Sequence, residues 1–419
     1  MRMIAGVVGV CVLFLAAGTR AEDKIEPALE PNEEVLAILN GLGENQSALL
    51  PETNIVGEFN ELARQHHLHT RGPGGRNFNI KMVWAPERRR ALFCGGNHGA
   101  PHRLNDAWEF DLAANTWALL YPPDFDDSRT THREENYDNL VVKDGIIRTR
   151  NGGPAFSAHT WWQLTYDPER KAMLWMANWP GTERKSRRVA EAIGADPDKL
   201  CPVFHGRRAT PFWSFTPATG EWEPVRTEPP HPPYALAVIL EYIPDLGGSL
   251  YRHNWLYRSE TNAWTNLEPE GERDDMPGRE PVAYWDPVNK ILVAATNTGR
   301  RGEDVDEFDR ITNHYDPETN TWKRVLTVQG ADKAPRAHDA RCSFDFDPVS
   351  GHGILYELPE RQVWAYNPTT TEWTKLPEPD GPPPPDERQP RPLAYFDPAH
   401  NVLVVNQGTV TWVYRYQVE

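Results

Sequence analysis

The chain has 419 residues, and its 60 acidic and 44 basic side chains give a formal net charge of −16. This balance argues against a nucleic-acid partner, because non-specific binding to nucleic acid needs a basic surface. Four cysteines are too few for a disulfide framework. Cys11 lies in an apolar N-terminal segment, and the sequence leaves open whether any two of the others pair, namely Cys94, Cys201 and Cys342.

Residues 1–21 have the pattern of a signal peptide. Arg2 precedes an apolar core that runs from Ile4 to Ala17, and small residues lead to a predicted cleavage site after Ala21. No later stretch is long and apolar enough to cross a membrane. The sequence therefore predicts a secreted or periplasmic protein without a membrane span.

The next segment, residues 22–50, has the composition of an acidic linker with one short helix. Asn32 can cap that helix, the two glutamates that follow it complement the dipole of the first turn, and Gly41 can end it. We expect the folded domain to begin after this linker and to cover residues 51–419.

Two short motifs recur along the rest of the chain. One is an aromatic–Asp–Pro turn, which occurs at Tyr166–Pro168, Trp285–Pro287, Phe346–Pro348 and Phe396–Pro398. The other is a strand centred on a tryptophan, and these tryptophans are Trp117, Trp222, Trp264, Trp322 and Trp373. A repeat of about fifty residues that is filled by short strands and turns is typical of radial β folds.

The repeats divide the chain into six blocks of β-strands. The blocks span residues 73–122, 154–227, 231–268, 281–327, 338–377 and 391–416. The last block contains only three strands, so its fourth strand must come from elsewhere in the chain. Residues 53–62 resemble a fourth strand in their Thr-Asn pattern, and we expect them to close the ring. The sequence thus predicts an all-β, six-bladed β-propeller closed by an N-terminal strand.

The first block carries the motifs of a known family. Leu92–Gly96 ends in a Gly-Gly pair, Asn105–Asp111 contains an Asp-x-Trp-x-Phe-Asp strand, and Asn115–Trp117 supplies an Asn-x-Trp strand. In these motifs the chain resembles a kelch-type β-propeller of the galactose oxidase/kelch superfamily, of the secreted bacterial kind. The resemblance covers roughly residues 50–419, although several repeats lack the Gly-Gly pair.

This resemblance implies an interaction platform, because kelch-type repeats commonly bind partners. The resemblance also suggests the copper-radical chemistry of galactose oxidase-like enzymes. Those enzymes need a tyrosine cross-linked to a cysteine and a second tyrosine directly followed by histidine. No tyrosine of this chain is followed by histidine. We therefore expect neither copper oxidase activity nor any other cofactor.

In a propeller of this type, the loops between strands two and three and the connections between blades lie on one face. Nearly all of the variation in loop length falls on that face, in residues 123–160, 177–211, 268–281, 297–314 and 377–392. Twelve of the 14 histidines and many arginines map to this variable face. The composition predicts a site there for an anionic or hydroxyl-rich ligand.

The candidate residues for ligand binding lie in loops of the first, second and fifth blocks. They are Asn97, His98, His102, Asn178, Trp179 and His338. The leading hypothesis is a non-catalytic platform that binds an extracellular glycan or a protein ligand. The insertion in the second block also contains a basic helix at Lys185–Ile193, which could form either a lid over the channel or a surface helix.

The alternative is a polysaccharide-active enzyme of the lyase type, and the sequence does not decide whether the chain is an enzyme. In such chemistry an arginine neutralises a uronate carboxylate, a histidine or tyrosine removes the adjacent C–H proton, and another group protonates the leaving oxygen. The residues of suitable type on the variable face are His98, His159, Tyr137, Arg150 and Arg341.

His67 and His69 are the metal candidates that lie close together in the sequence. On a β-strand they would share one face, but no carboxylate or cysteine lies close by to complete a ligand set. We therefore expect no metal site.

Overall fold

The computed structural model describes residues 29–417, apart from residues 75, 77, 97–102, 127–136, 157–159, 178–181, 273–274, 279, 299–307, 339–340, 359 and 386–390. The predicted signal peptide lies outside the described residues. Within the described ranges, no helix is both long enough and apolar enough to span a membrane.

The N-terminal part of the described chain contains three short helices and two strands. In chain order these are α1 (Glu33–Gly41), β1 (Gln46–Leu49), β2 (Asn54–Gly57), α2 (Glu61–Gln65) and α3 (Leu68–Arg71). Asn32 caps α1 as predicted, because its side-chain oxygen accepts two amides of the first turn at 2.9 and 3.3 Å. At the other end, the Arg415 guanidinium donates to the carbonyls of Leu39 and Leu42 and ties the helix to the last strand of the chain.

Antiparallel sheets follow, and each of them forms one blade. Blade one contains β3 (Val83–Ala85), β4 (Arg90–Cys94), β5 (Ala107–Asp111) and β6 (Thr116–Tyr121). The connection to blade two contains the hairpin β7 (Leu140–Lys143) and β8 (Ile146–Thr149). Blade two contains β9 (Leu164–Asp167), β10 (Ala172–Met176), an insertion with α4 (Thr182–Ala192) and α5 (Pro202–His205), β11 (Phe212–Thr216) and β12 (Glu221–Pro224).

The remaining blades repeat this plan with four strands each. Blade three contains β13 (Leu240–Ile243), β14 (Gly248–Tyr251), β15 (Trp255–Arg258) and β16 (Ala263–Asn266). Blade four contains β17 (Val282–Asp286), β18 (Ile291–Asn297), β19 (Asp309–Asp316) and β20 (Thr321–Gln329). Blade five contains β21 (Cys342–Asp347), β22 (His352–Glu357), β23 (Gln362–Asn367) and β24 (Glu372–Lys375). Blade six contains β25 (Leu393–Asp397), β26 (Val402–Gln407), β27 (Val410–Arg415) and β1.

The innermost strands of the blades form a closed ring. β3, β9, β13, β17, β21 and β25 contact one another in this order, and β25 contacts β3 again. The predicted six-bladed, all-β propeller is confirmed.

An N-terminal strand closes the ring, but the sequence pointed to the wrong segment. β1 pairs antiparallel with β27, with Ala48 opposite Val413, and supplies the fourth strand of blade six. Residues 53–62 instead contain β2, which pairs in parallel with β6 at the outer edge of blade one. The propeller therefore uses a strand that lies before residue 51, within the segment predicted to be a linker.

Local hydrogen bonds explain why residues 53–62 do not close the ring. The hydroxyl of Thr53 donates to Asn115 Oδ1 at 3.0 Å, and the amide of Asn54 donates to the carbonyl of Asn115 at 3.0 Å. The Thr53 amide still donates to the carbonyl of Thr409 in blade six at 2.9 Å, so the chain passes here from blade six to the turn before the last strand of blade one.

The repeated tryptophans join neighbouring blades. Trp322 of blade four donates its indole N–H to the carbonyl of His253 in blade three at 2.8 Å. Trp117 of blade one donates in the same way to Asn406 Oδ1 of blade six at 2.9 Å. Both rings are buried, so these two copies of the repeated tryptophan are core residues.

The aromatic–Asp–Pro motif forms the turn between the first two strands of a blade. Asp286 is fully buried, and its Oδ1 accepts the amides of Val288 and Asn289 at 2.9 and 3.0 Å. The aspartates of the other copies accept amides of the same turn, and they are Asp167, Asp347 and Asp397. The motif is therefore structural, because the carboxylate satisfies turn amides that would otherwise be buried without a partner.

The three cysteines that follow the predicted signal peptide are free thiols, which answers the question that the sequence leaves open. Cys94 and Cys342 are buried, and burial raises the pKa of both thiols well above the ordinary value. Cys201 is half-buried at the start of α5.

Candidate functional site

On the variable face, the connection between blades one and two packs against the insertion in blade two. Together they form a small unit, residues 137–156 and 182–205, which we call the cap. Its core contains Leu140, Ile147 and Val189, each of which is buried. The predicted basic helix exists as α4, and its apolar side lies in this core.

A buried histidine joins the two halves of the cap. The amide of Ile147 in β8 donates to His205 Nε2 at 2.9 Å, and His205 Nδ1 lies 3.1 Å from the hydroxyl of Ser186 in α4. Because Nε2 accepts a hydrogen bond, the ring carries its proton on Nδ1 and is neutral. Burial lowers the pKa of His205 to about 4, which keeps the imidazole neutral at physiological pH.

Three cations from two distant segments converge beside the cap, and we call them the basic cluster. They are Arg103, Lys185 and Arg188. Arg103 precedes β5 and is buried, whereas Lys185 lies in α4 with its Nζ 5.2 Å from the ring centre of Phe156. Burial first, and then the guanidiniums of Arg103 and Arg188, lower the pKa of Lys185 to about 7. Asp126, which lies 3.2 Å from His66 Nε2, opposes this shift.

A second group of charges follows the basic cluster along the chain, because Asp106 lies three residues after Arg103. Arg76 is fully buried, and its guanidinium donates to the carbonyl of Gly95 at 2.9 Å and to the carboxylate of Asp106. Burial, and next the charge of Arg76, lower the pKa of Arg71.

The structure brings Tyr137 and Arg150 to one cleft. They line an open cavity of about 500 Å³ between the hairpin and the end of α4, together with Ile193 and Ala195. Arg150 Nε donates to the carbonyl of Asp138 at 2.9 Å, which fixes the guanidinium at the rim. Within the described part of the chain, the buried hydroxyl of Tyr137 has no hydrogen-bond partner.

His338 and Arg341 lie elsewhere, in the connection that leads into blade five. His338 Nε2 is 3.1 Å from the Glu280 carboxylate, and the amide of Arg341 donates to the carbonyl of His338 at 2.9 Å. In a ring of six blades the junction of blades four and five lies opposite the junction of blades one and two. These two candidates therefore lie at a different junction of blades from Tyr137 and Arg150.

The other candidates fall outside the described residues. They are Asn97, His98, His102, His159, Asn178 and Trp179. Asn97, His98 and His102 lie in residues 97–102, directly before Arg103 of the basic cluster. His159 lies in residues 157–159, directly after Phe156 of the cap. Asn178 and Trp179 lie in residues 178–181, directly before α4.

His67 and His69 do not lie on a strand, so the prediction of a shared strand face is wrong. Asn60 caps α2 by accepting the amide of Ala63 at 2.8 Å, and His67 adopts a left-handed conformation with φ 58° before α3. The segment is therefore two short helices. Over the described ranges, no group of three His, Cys, Asp or Glu side chains is placed to hold a metal ion.

Charges also meet in the centre of the ring, where the sequence gives no motif. Lys81, just before β3 of blade one, forms a buried ion pair with Glu241 of blade three. Its Nζ also lies 4.6 Å from the ring centre of Trp162 at the start of blade two. Asp345 of blade five accepts the amide of Phe396 in blade six at 3.2 Å. Because residues of blades one and three meet here, the ion pair spans the axial channel.

Several solved structures are similar in fold at low sequence identity. An auxiliary nutrient binding protein from Bacteroides ovatus is 10% identical, with a TM-score of 0.45 over 88% of this chain and 76% of that chain. An auxiliary nutrient binding protein from Bacteroides thetaiotaomicron is 12% identical, with a TM-score of 0.46 over 89% of this chain and 78% of that chain. An oligogalacturonate lyase in complex with manganese is 12% identical, with a TM-score of 0.38 over 89% of this chain and 98% of that chain.

At these identities the similarity concerns the arrangement of the chain alone. No protein-family model matches the sequence, and no curated protein matches it. The resemblance to kelch repeats therefore rests on the motifs of the sequence.

Proposed function

We propose that this chain is a secreted or periplasmic propeller that binds a glycan or a protein ligand on its variable face. The observation that carries the proposal is that three cations, Arg103, Lys185 and Arg188, lie near one another beside the cap of a protein whose net charge is −16. Like charges held close together in a partly buried place cost free energy unless something opposes them. A bound anion lowers that cost, so this part of the surface favours an acidic ligand.

The geometry of the cap suits this role. Helix α4, which carries Lys185 and Arg188, is held by the buried contacts of His205 with Ile147 and Ser186 and by a small apolar core. Side chains held in place before the ligand arrives lose little conformational entropy on binding, so a rigid support raises affinity. Arginine is also the cation best suited to the planar geometry of a carboxylate.

A lyase is the second candidate, and one observation favours it. Tyr137 and Arg150 line the same open cleft, where a guanidinium could neutralise a uronate carboxylate while a phenol exchanges a proton with the sugar. This arrangement supplies the residue types for proton abstraction, but it also suits simple binding of an acidic sugar.

The experiment that tests the proposal is a screen of the chain from residue 22 against neutral and uronate-containing polysaccharides. Retention on an immobilised glycan would be measured together with unsaturated-uronate absorbance and reducing ends. We expect retention without product. Product that is lost in Tyr137→Phe and Arg150→Gln variants would overturn the binding role in favour of the lyase. Absence of both retention and product would rule out a glycan and leave a protein ligand.

A further inference from the structure

We propose that the open cleft lined by Tyr137 and Arg150 binds a sugar ring that carries a carboxylate, that is, a uronate residue of a glycan. This inference rests on the proposed binding function and names the class of its ligand. The cleft lies between the base of the β7–β8 hairpin and the end of α4, and its volume is about 500 Å³. That volume is typical of a small-molecule site, so the cleft has room for a sugar ring rather than for a folded partner.

The guanidinium of Arg150 is fixed at one point and keeps free donors. Its Nε donates to the carbonyl of Asp138 at 2.9 Å, and the backbone amide of Arg150 donates to the carbonyl of Asn139 at 2.8 Å. Over the described residues, its two terminal nitrogens form no hydrogen bond or ion pair. The side chain is exposed at the rim, so a carboxylate can reach it from solvent and accept two parallel hydrogen bonds from the planar group.

The hydroxyl of Tyr137 is a second polar group beside the cleft that lacks a partner. The atom is buried, and none of the residues that the structure describes forms a hydrogen bond with it. Buried hydroxyls normally form such a bond, so this one lacks a contact that a ligand oxygen can supply. The amide of Leu140 donates to the carbonyl of Tyr137 at 2.8 Å, which ties the tyrosine to the same hairpin as Arg150.

The remaining lining fits the other parts of a sugar ring. Leu140, Val142 and Ile193 give the cleft an apolar wall, against which the C–H face of a ring can pack. Asp138 also lines the cleft and is exposed. A carboxylate has several acceptor positions, so Asp138 can accept a ring hydroxyl while it keeps another partner. It would repel a sulfate ion, which has no hydroxyl to donate, and the lining therefore matches a ring that combines hydroxyls with a carboxylate.

The test is a cycle of two ligands and two proteins, measured by calorimetry at pH 7 on the chain from residue 22. The ligands are trigalacturonate and its fully methyl-esterified form, which differ in the charge of the carboxyl groups. We expect Arg150→Gln to weaken binding of the acid about tenfold, the usual effect of losing a charge-assisted contact. Binding of the ester should change less than about twofold, because a neutral ester gains little from the guanidinium.

Lys143→Gln is the matched control for the loss of charge. Lys143 is exposed at the end of β7, in the same hairpin, and does not line the cleft. Its replacement removes one positive charge, as Arg150→Gln does, and should change the affinity for either ligand less than about twofold.

Two further variants test where the ring lies. Tyr137→Phe removes the unpartnered hydroxyl and should weaken binding of the acid about threefold, the effect of one neutral hydrogen bond. Ala192→Trp places a large side chain at the exposed end of α4, where Ala192 lines the cleft. It should weaken binding of both ligands, because it fills the space that the ring needs.

Three outcomes would overturn the inference while the proposed function stands. They are equal effects of Arg150→Gln and Lys143→Gln, unchanged binding in Ala192→Trp, and a wild type that binds neither trimer but is retained on another glycan. Absence of binding to every glycan would overturn both the inference and the proposal of a glycan ligand.

Discussion

The imidazole of His205 is the single side chain on which the geometry of the cap depends most. It accepts the amide of Ile147 and contacts the hydroxyl of Ser186, so it holds the hairpin and the inserted helix in one arrangement. The contact with Ile147 needs an unprotonated Nε2, and it is lost when the ring takes up a second proton. Acid should therefore loosen the cap before it affects the blades.

The sign of this effect follows from the shift in pKa. Burial lowers the pKa of His205 from 6.5 to about 4, so below pH 6.5 the unfolded cap takes up a proton that the folded cap does not. The stability of the cap falls from about pH 6.5 down to pH 4, by roughly 2 kcal/mol at pH 5. We expect faster hydrogen exchange of the amides of residues 140–149 and 182–205 at pH 5 than at pH 7, after correction for intrinsic rates.

His205→Gln is the control for this prediction. A glutamine side chain can accept the amide of Ile147 and donate to Ser186, but it does not titrate. Exchange in the cap of this variant should lose most of its pH dependence. The same acid sensitivity in wild type and variant would mean that another group loosens the cap.

At the level of single residues, the sequence predicts part of the candidate site. Residue type and loop position predict Tyr137 and Arg150 separately, and the structure brings them to one cleft. Arg103 and Lys185 are not predictable as a pair, because Arg103 lies in the loop between β4 and β5 of blade one and Lys185 lies in the insertion of blade two. No spacing in the sequence encodes that packing.

Among the secondary-structure elements, the short strand β1 completes blade six and so closes the ring. It pairs with β27 over four residues and covers what would otherwise be the open edge of blade six. Helix α1 precedes it and is tied to the same blade by Arg415. The N-terminal segment therefore acts as part of the ring rather than as a linker.

A chain that begins at residue 51 should fold poorly compared with one that begins at residue 22. Loss of residues 22–50 exposes the backbone of β27 and removes two of the four carbonyls that the Arg415 guanidinium contacts, those of Leu39 and Leu42. We expect a lower thermal midpoint and concentration-dependent association through the exposed edge, measured by calorimetry and light scattering. Identical midpoints for the two chains, with no association, would contradict the closure of the ring by β1.

The elements that sequence predicts correctly are those with local chemistry. The aspartate of each aromatic–Asp–Pro turn accepts the amide two residues later, and in three of the four copies also the amide three residues later, so the motif marks a hairpin at each of these positions. The closing strand has no such mark, because its four residues, Gln46–Leu49, depend on a partner at the far end of the chain. The Thr-Asn pattern at residues 53–54 is used for the turn of blade one instead.

For the molecule as a whole, the axial ion pair joins blades that are not neighbours in the sequence. Lys81 pairs with Glu241 across the channel, and the two side chains are 5% and 12% exposed. Burial raises the pKa of Glu241, and it raises the pKa of Asp345 to about 7, so the lysine opposes a cost that both carboxylates carry. The number of blades is predictable from the repeats. The contact between Lys81 and Glu241 is not, because nothing in the sequence of either segment indicates that the two side chains meet.

Lys81→Met should destabilise the ring, because it leaves Glu241 buried without its cation. Breaking a buried pair on one side costs about 3 kcal/mol or more, and the loss should appear in a denaturant unfolding curve at pH 7. The double variant Lys81→Met, Glu241→Gln removes both charges and should recover much of the stability. A single variant as stable as the wild type would show that the pair does not hold the channel together.

The central claim is that the variable face binds the ligand, and the most direct test is a hydrogen-exchange footprint of the chain with polygalacturonate. We predict slower exchange at residues 103–106, 140–156 and 182–205, and no change at the turns of the opposite face, such as residues 286–291 and 397–402. Protection confined to those turns, with the cap unchanged, would contradict the account.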